Sequence, residues 1–428
     1  MYFISKNRDL MEPWLLGFTL LLLKLVESFE VRFIYISLLF LLLWGINNGK
    51  GGIKLINLQS LLFCLLIVGA VIGIFHWPIF YDYLKDLIYF LKPILLIFIG
   101  FFFARRIKNE RVVLKTLILV GVIFSIYHII HTLIYSGLSH LNISKIRAVN
   151  GLDNMLEIIA MVLIIISYKH PSINVIKHKS AKVFFLLLTF ISFILYFSRS
   201  MLIGFFLITL GAMGYAKLNI KGIKYISLLV ALITTFYIYL FSIDIPRDAQ
   251  GFDNFLYKIK MAPAEIFIPK IDLNNHADLW DHWRAYEVSR ALNDMSTKKV
   301  NYLFGKGFGS LVDLKTTVNL GGQDMRYIPI LHNGYAFVFY KTGLLGLLVY
   351  LTFLFYLYSQ TYIQTHTKGR EIFNNFITGL ALYYLFSSLI ITGIYNLIET
   401  LPLILGIMIY LSKTSLIDNK TLEINKND

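Results

Sequence analysis

Apolar runs long enough to cross a lipid bilayer recur along almost the whole chain, separated by shorter polar segments. The runs lack the period-two alternation of half-buried strands, so helices are the predicted elements. A helix also pairs its own backbone polar groups, as the interior of a bilayer requires. The pattern therefore predicts an all-α polytopic membrane protein with about twelve transmembrane helices. We place these helices at Trp14–Val26, Phe33–Ile46, Leu58–Phe75, Leu87–Phe103, Leu114–Tyr135, Met155–Tyr168, Val183–Phe197, Met201–Ala216, Ile223–Phe241, Gly343–Tyr358, Phe376–Ile394 and Leu401–Leu411.

One long segment between the ninth and tenth predicted spans has the composition of a soluble domain. The chain accordingly divides into an N-terminal transmembrane bundle of about nine spans (1–241), one large loop (242–328) and a C-terminal part (329–428). The last part holds the remaining transmembrane helices and a short tail. Within the loop, apolar residues at helical spacing predict a helix over Asp278–Leu292, with Asp278 as its N-cap.

Lysine and arginine residues are concentrated in every second loop between the predicted spans. Cytoplasmic loops of membrane proteins are enriched in these residues, so the basic loops are expected on the cytoplasmic side. This arrangement puts both termini in the cytoplasm and the large loop on the extracytoplasmic side. The formal net charge of +15 has the same explanation and does not indicate a nucleic-acid partner.

The composition excludes several classes of protein. The 428 residues are 57% hydrophobic and only 15% charged, unlike those of an ordinary soluble protein. The single cysteine, Cys64, cannot form an intrachain disulfide. The ten histidines lack the close spacing of metal ligands, so neither a metal nor another cofactor is expected. The glycine-rich string Gly305–Gly309 lacks the Lys-Ser/Thr ending of a phosphate loop.

Polar residues that could carry chemistry gather on the predicted extracytoplasmic side. Arg199 lies in a tight turn between two spans, where it either snorkels to the lipid head groups or binds a phosphate. Arg284 lies on the loop helix, where an ion pair with a neighbouring carboxylate would equally account for it. His332 lies in an irregular stretch before the tenth span and is either structural or a proton acceptor. Lys92 interrupts the fourth span, where it either faces the bundle interior or snorkels.

Five short motifs occur in a distinctive order between the seventh and tenth predicted spans. They are Ser198-Arg199-Ser200, Arg284-x-x-Glu287, Phe304-Gly-Lys-Gly-Phe-Gly309, His332-Asn333-Gly-Tyr335 and Lys341-Thr-Gly-Leu-Leu-Gly346. Their order, spacing and shared side of the membrane resemble those of the O-antigen polymerase and ligase superfamily. The resemblance covers roughly Val183–Tyr358, and the segment that begins at Arg147 is a weaker match to another outer loop of that family.

The resemblance implies a helical fold similar to that of GT-C glycosyltransferases, located in the bacterial inner membrane. It also implies transfer of a glycan from undecaprenyl diphosphate to another sugar. By matching motif, Arg199 and Arg284 would hold the diphosphate and His332 would act on the acceptor, which makes these three the predicted catalytic residues. Substrate-binding roles are predicted for Arg147, Asn333, Tyr335, Lys341, Glu287 and Lys92.

Elementary chemistry agrees with this assignment. The leaving group is a lipid diphosphate, and two permanently charged, bidentate guanidinium groups can neutralise its developing charge without a metal. A histidine can take the proton of the acceptor hydroxyl near neutral pH. A single displacement at the anomeric carbon would invert its configuration.

These observations are compatible with three functions. A polymerase would extend a lipid-linked O-antigen or capsule repeat unit, whereas a ligase would transfer the glycan to lipid A core. The Lys341-Thr-Gly form is more similar to polymerases, because ligases often have an acidic residue at that position. A polysaccharide transporter or flippase is the alternative from another class, although no internal repeat is visible. Expected partners are the undecaprenyl-diphosphate-linked donor, a lipid-linked sugar acceptor, membrane lipids, a chain-length regulator and a flippase.

Overall fold

The computed structural model describes most of the chain and consists mainly of helices. The described residues are 2–26, 28–47, 52–136, 155–196, 198–246, 252–261, 279–280, 282–320, 322–396 and 400–416. The helices are α1 (Tyr2–Leu25), α2 (Phe29–Ile46), α3 (Gly52–Phe75), α4 (Phe80–Ile107), α5 (Glu110–Ser136), α6 (Met155–Lys169), α7 (Lys179–Leu195), α8 (Arg199–Ala212), α9 (Ile220–Ser242), α10 (Phe252–Met261), α11 (Trp283–Met295), α12 (Lys299–Phe304), α13 (Gly334–Tyr358), α14 (Lys368–Ile390) and α15 (Leu401–Thr414).

Each of the twelve apolar segments predicted from the sequence lies largely on one of these helices. Within the described ranges, five helical stretches are long and apolar enough to cross a membrane. The chain is therefore a helical membrane protein, as its apolar pattern predicted. The five stretches are Phe29–Ile46, Phe80–Ile107, Glu110–Tyr135, Gly334–Tyr362 and Lys368–Ile390.

The polar segment before α13 differs from its prediction in two respects. Its main helix, α11, extends three residues beyond the predicted end at Leu292, and the predicted N-cap Asp278 lies outside the described residues. The segment also contains an antiparallel hairpin of β1 (Val312–Leu320) and β2 (Gln323–Ile328), which the sequence analysis did not predict. Alternating apolar residues on β1 and the Gly-Gly dipeptide between the strands are the signals that could have revealed it.

Helices α8 and α14 cross in antiparallel directions at unusually close range. A Cβ atom added at Gly211 of α8 would lie 2.2 Å from the Cα of Gly379 on α14, so both positions require glycine. Further along, a Cβ atom added at Gly204 of α8 would likewise lie too close to the ring of Tyr383. Small residues let membrane helices approach until their backbones are in contact. This crossing fixes the start of α8 beside the end of α14.

A kink in α13 holds the glycine-rich string that follows α12. Gly343 has φ 67° and ψ −166°, which interrupts the helix and leaves two carbonyl groups without their usual donors. The amides of Lys306 and Gly307 supply the missing hydrogen bonds to Tyr340 and Lys341, at 2.8 and 3.0 Å. The polar segment is therefore anchored to the core of the bundle at this point.

Candidate functional site

The C-terminal end of α14 is a meeting point for several predicted functional residues. Carbonyl groups at the end of a helix have no partner within it and carry partial negative charge. Here the Nε of Arg284 donates to the carbonyl of Ile390 at 2.9 Å. The side-chain amide of Asn333 donates to Leu389 at 3.2 Å, and the amide of Gly334 donates to Ile391 at 2.9 Å. Helix α11 and the start of α13 are thereby attached to the same helix end.

Glu287 and His332 form the central contact of this site. The Glu287 side chain is 1% exposed, and its two oxygens accept from the backbone amide of His332 at 2.7 Å and from its Nδ1 at 2.9 Å. An ionised carboxylate can only accept, so Nδ1 donates to Glu287, and in the neutral imidazole the lone pair lies on Nε2. The His332 side chain is 53% exposed. The site therefore presents a ring nitrogen, Nε2, whose orientation is set by a buried carboxylate.

Asn333 and Tyr335 of the His-Asn-Gly-Tyr motif contact the protein itself. The Oδ1 of Asn333 accepts from the amide of Ala336 at 2.9 Å, which makes Asn333 the N-cap of α13. The Tyr335 hydroxyl donates to the carbonyl of Leu385 on α14 at 2.8 Å. Both residues therefore fix the junction of α13 and α14 next to His332, and their sugar-binding roles remain predictions.

Arg199 lies at the same end of the bundle as this cluster. It is the first residue of α8, five positions before the contact of Gly204 with Tyr383. Ile390 lies seven positions beyond Tyr383 on the antiparallel helix. At 1.5 Å per residue the two positions differ in height by only about 3 Å. The two predicted diphosphate ligands, Arg199 and Arg284, therefore lie at similar heights along the bundle.

Lys341 occupies a different environment from the one expected of a substrate ligand. Its side chain is 0% exposed, and its ammonium group donates to Asp86 on α4 at 2.5 Å and to the carbonyl of Ser310 at 2.6 Å. The same Asp86 oxygen accepts from the amide of Gly309 at 2.7 Å. A buried ammonium group requires such compensation. The contacts of Lys341 hold the glycine-rich string against α4 and α13, a structural role that its sequence motif did not indicate.

Lys92 is also buried. Its burial favours the prediction that it faces the bundle interior over the alternative that it snorkels to the lipid head groups. Its ammonium group donates to the carbonyl of Asn396 at 2.6 Å. Asn396 follows the short 3-10 turn Gly393–Tyr395, which comes directly after the helix end that Arg284 contacts. Lys92 thus supports the candidate site from the side of α4. The remaining predicted residue, Arg147, lies outside the described residues.

A second polar cluster lies between α5, α6 and α7 and was not assigned a function from the sequence. The Oγ of Ser192 donates to Glu157 at 3.1 Å and lies 2.8 Å from the Nδ1 of His128. All three side chains are buried, and the ring of Tyr196 stacks on His128. The residues belong to three separate apolar helices, so only the packing reveals their proximity.

Comparisons with known proteins do not identify a function for this chain. No family model matches the chain, and a search of curated proteins gives no match. Among the described residues, no three His, Cys, Asp or Glu side chains are grouped so that they could hold a metal ion. The geometry at the end of α14 and the order of the sequence motifs are therefore the basis for a functional proposal.

Proposed function

We propose that this protein is an inner-membrane glycosyltransferase of the polysaccharide polymerase type. It would transfer a glycan from undecaprenyl diphosphate to the acceptor sugar of another lipid-linked repeat unit, with inversion and without a metal. The observation that carries the proposal is the convergence of Arg284, Glu287 and His332 at the end of α14, with Arg199 at the same height. Two cations and an oriented proton acceptor are what this displacement requires.

Each group has a defined role in the proposed step. The acceptor hydroxyl attacks the anomeric carbon, and the bond from that carbon to the diphosphate oxygen breaks. The hydroxyl proton passes to Nε2 of His332, and the diphosphate leaves with the electron pair of the broken bond. Glu287 stabilises the imidazolium that forms. Arg199 and Arg284 neutralise the charge that develops on the diphosphate.

The proposal includes twelve spans, with both termini in the cytoplasm and the site on the opposite face. Cysteine labelling can test this, because Cys64 is the only native thiol. In a Cys64→Ser background, Lys299→Cys on exposed α12 should react with a membrane-impermeant reagent outside the inner membrane. Gln364→Cys, in the exposed segment before α14, should react only after that membrane is opened. The reverse pattern would contradict the proposed orientation.

The reaction is tested by a single-turnover assay with purified protein and an undecaprenyl-diphosphate repeat unit. Replacing Arg199 or Arg284 by Ala should reduce transfer about 10²–10³-fold, because each removes charge stabilisation in the transition state. Lysine at either position should restore only part of the rate, since the bidentate fork is lost. Excess chelator should leave transfer by the unmodified protein unchanged.

The matched control for Arg284 is Arg290, on the same helix. The Nε of Arg290 also donates to one backbone carbonyl, at 3.1 Å. This carbonyl belongs to Asp313 in the hairpin and not to the end of α14. Arg290→Ala should therefore transfer at a nearly normal rate. Equal losses in the two variants would indicate a packing effect and contradict the assignment of Arg284.

Transfer to lipid A core in place of a lipid-linked repeat would identify a ligase, and donor movement without a new glycosidic bond would identify a transporter.

A further inference from the structure

A cavity of about 310 Å³ lies at the end of α14 opposite the candidate site. Helix α14 has 23 residues, so its two ends are separated by about 33 Å. The cavity is formed by the end of α6, the turn after α8, the start of α9 and the first turns of α14. It is therefore spatially separate from Arg284 and His332, and no step of the proposed reaction uses it.

Two lysines give the cavity a positive character. The ammonium group of Lys169 donates to the carbonyl of Met213 at 2.6 Å and lies 4.2 Å from the ring centre of Tyr215. Lys368, on the opposite wall, lies 2.6 Å from Glu371. Among the described residues that line the cavity, Glu371 is the only acidic one, so the two ammonium groups outweigh it.

A histidine and an amide add neutral hydrogen-bonding groups to the same cavity. Burial, together with the ammonium groups of Lys169 and Lys368, lowers the pKa of the His170 imidazole, so this side chain is neutral at pH 7. Asn375 is buried, and its Oδ1 accepts from the Thr361 hydroxyl at 2.6 Å. Its NH₂ group is consequently the end directed toward the turn after α8, where an anion would find a donor.

The residues around the cavity are those found at the boundary between membrane and water. Tyr358 donates to the carbonyl of Ala216 at 2.8 Å, and the Tyr362 hydroxyl accepts from the amide of Leu218 at 2.8 Å. Tyrosines and lysines are enriched at the level of the lipid head groups. The two tyrosines thus hold the turn after α8, and with the proposed spans we expect the cavity beside it to open at the level of the lipid phosphates.

We propose that this cavity binds the phosphate-bearing head group of an anionic phospholipid. Basic cavities between membrane helices bind such head groups through the charge of their lysines. The volume is at the lower limit of small-molecule sites, which suits a phosphate with a small polar substituent. Lys169 and Lys368 contact the phosphate, while Asn375 and His170 contact its polar substituent. The bound lipid joins α6, α8 and α14 at this end of the bundle.

Native mass spectrometry of the purified full-length protein tests the proposal by titration with phosphatidylglycerol and with phosphatidylcholine. Phosphatidylglycerol should bind more tightly, and this preference should weaken as salt is raised. Lys169→Gln and Lys368→Gln should each weaken phosphatidylglycerol binding about fivefold. Lys169→Arg should bind nearly as well as the unmodified protein. Lys299→Gln, on exposed α12 far from the cavity, is the control and should have no effect.

Several outcomes would overturn the proposal. Equal binding of the two lipids to the unmodified protein would by itself overturn the proposal. Phosphatidylglycerol binding that falls equally in Lys299→Gln and in Lys368→Gln would show attraction by general surface charge alone. Inorganic phosphate that binds the unmodified protein more tightly than phosphatidylglycerol, and loses this affinity in Lys368→Gln, would show that the cavity takes a soluble phosphate and would reject the lipid as its ligand.

Discussion

The buried carboxylate of Glu287 accepts hydrogen bonds from both the backbone amide and the ring Nδ1 of His332. The two residues are 45 positions apart: Glu287 lies on α11, and His332 lies in the irregular stretch just before α13. The double contact fixes the position of the chain as well as the orientation of the ring. The sequence motifs suggested a substrate-binding role for Glu287, whereas its geometry supports a role as the positioning group for His332.

The first prediction concerns this contact. Glu287→Gln keeps the size of the side chain but replaces one acceptor with an NH₂ donor, which favours the His332 tautomer protonated on Nε2. The proton acceptor is then lost, and transfer should fall by about 10²–10⁴-fold, the usual contribution of general-base catalysis. Donor binding should change less than about twofold. The rate of a single turnover and the dissociation constant of the donor, measured on the same sample, check both expectations.

A control for this prediction lies on the same helix. Asp294→Asn makes the same chemical change two turns later, where the carboxylate bonds to Lys306 and Tyr340. Its transfer rate should remain close to that of the unmodified protein. A Glu287→Gln variant that transfers normally would show that His332 needs no oriented carboxylate.

The second prediction concerns Asp86 and Lys341. Both side chains are essentially unexposed, so removing one partner leaves an uncompensated charge in the protein interior. Asp86→Asn and Lys341→Met should each lower the free energy of unfolding by about 3–5 kcal/mol. The combination Asp86→Leu with Lys341→Met should recover most of this loss. Unfolding in mixed micelles measures all of these variants. A Lys341→Met variant with normal stability but no donor binding would instead support the substrate-binding role predicted from its motif.

The helices could be predicted because their signals are local. An apolar run needs no distant partner to indicate a helix, and the spacing of Arg284 and Glu287 is visible within one turn. The partner of Lys341 could not be predicted, since Asp86 lies 255 residues earlier and only the packing of α4 against α13 brings the two together. The same limit applies to the cavity beside Lys169, which the end of α6, the turn after α8, the start of α9 and the first turns of α14 create together.

The third prediction concerns the buried cluster of His128, Glu157 and Ser192. Ser192→Ala removes the hydroxyl that both other side chains contact, and a buried polar group deprived of a partner costs about 1–3 kcal/mol. The free energy of unfolding should fall by that amount. Thr189→Val, one turn earlier on α7, is the control, because among the described residues the Thr189 hydroxyl bonds only to carbonyls of its own helix. Equal effects of the two substitutions would argue against a network that joins the three helices.

The last prediction concerns the acid response of the hairpin that leads to His332. Asp313 on β1 accepts from Nε of Arg326 on β2 at 2.9 Å and from a second guanidinium nitrogen at 3.2 Å. Hydrogen bonds from Arg326, followed by those from Lys315, hold the pKa of Asp313 well below its usual range. Since the pKa is lower in the folded state, the stabilisation is complete above the ordinary Asp pKa of about 4 and is lost as pH falls through the lower value. Hydrogen exchange in 312–328, corrected for intrinsic rates, should therefore be constant from pH 7 to about 5 and should rise at lower pH. Arg326→Gln should raise exchange at neutral pH and weaken the acid response. If the acid response of this variant is unchanged, a group other than Asp313 causes it.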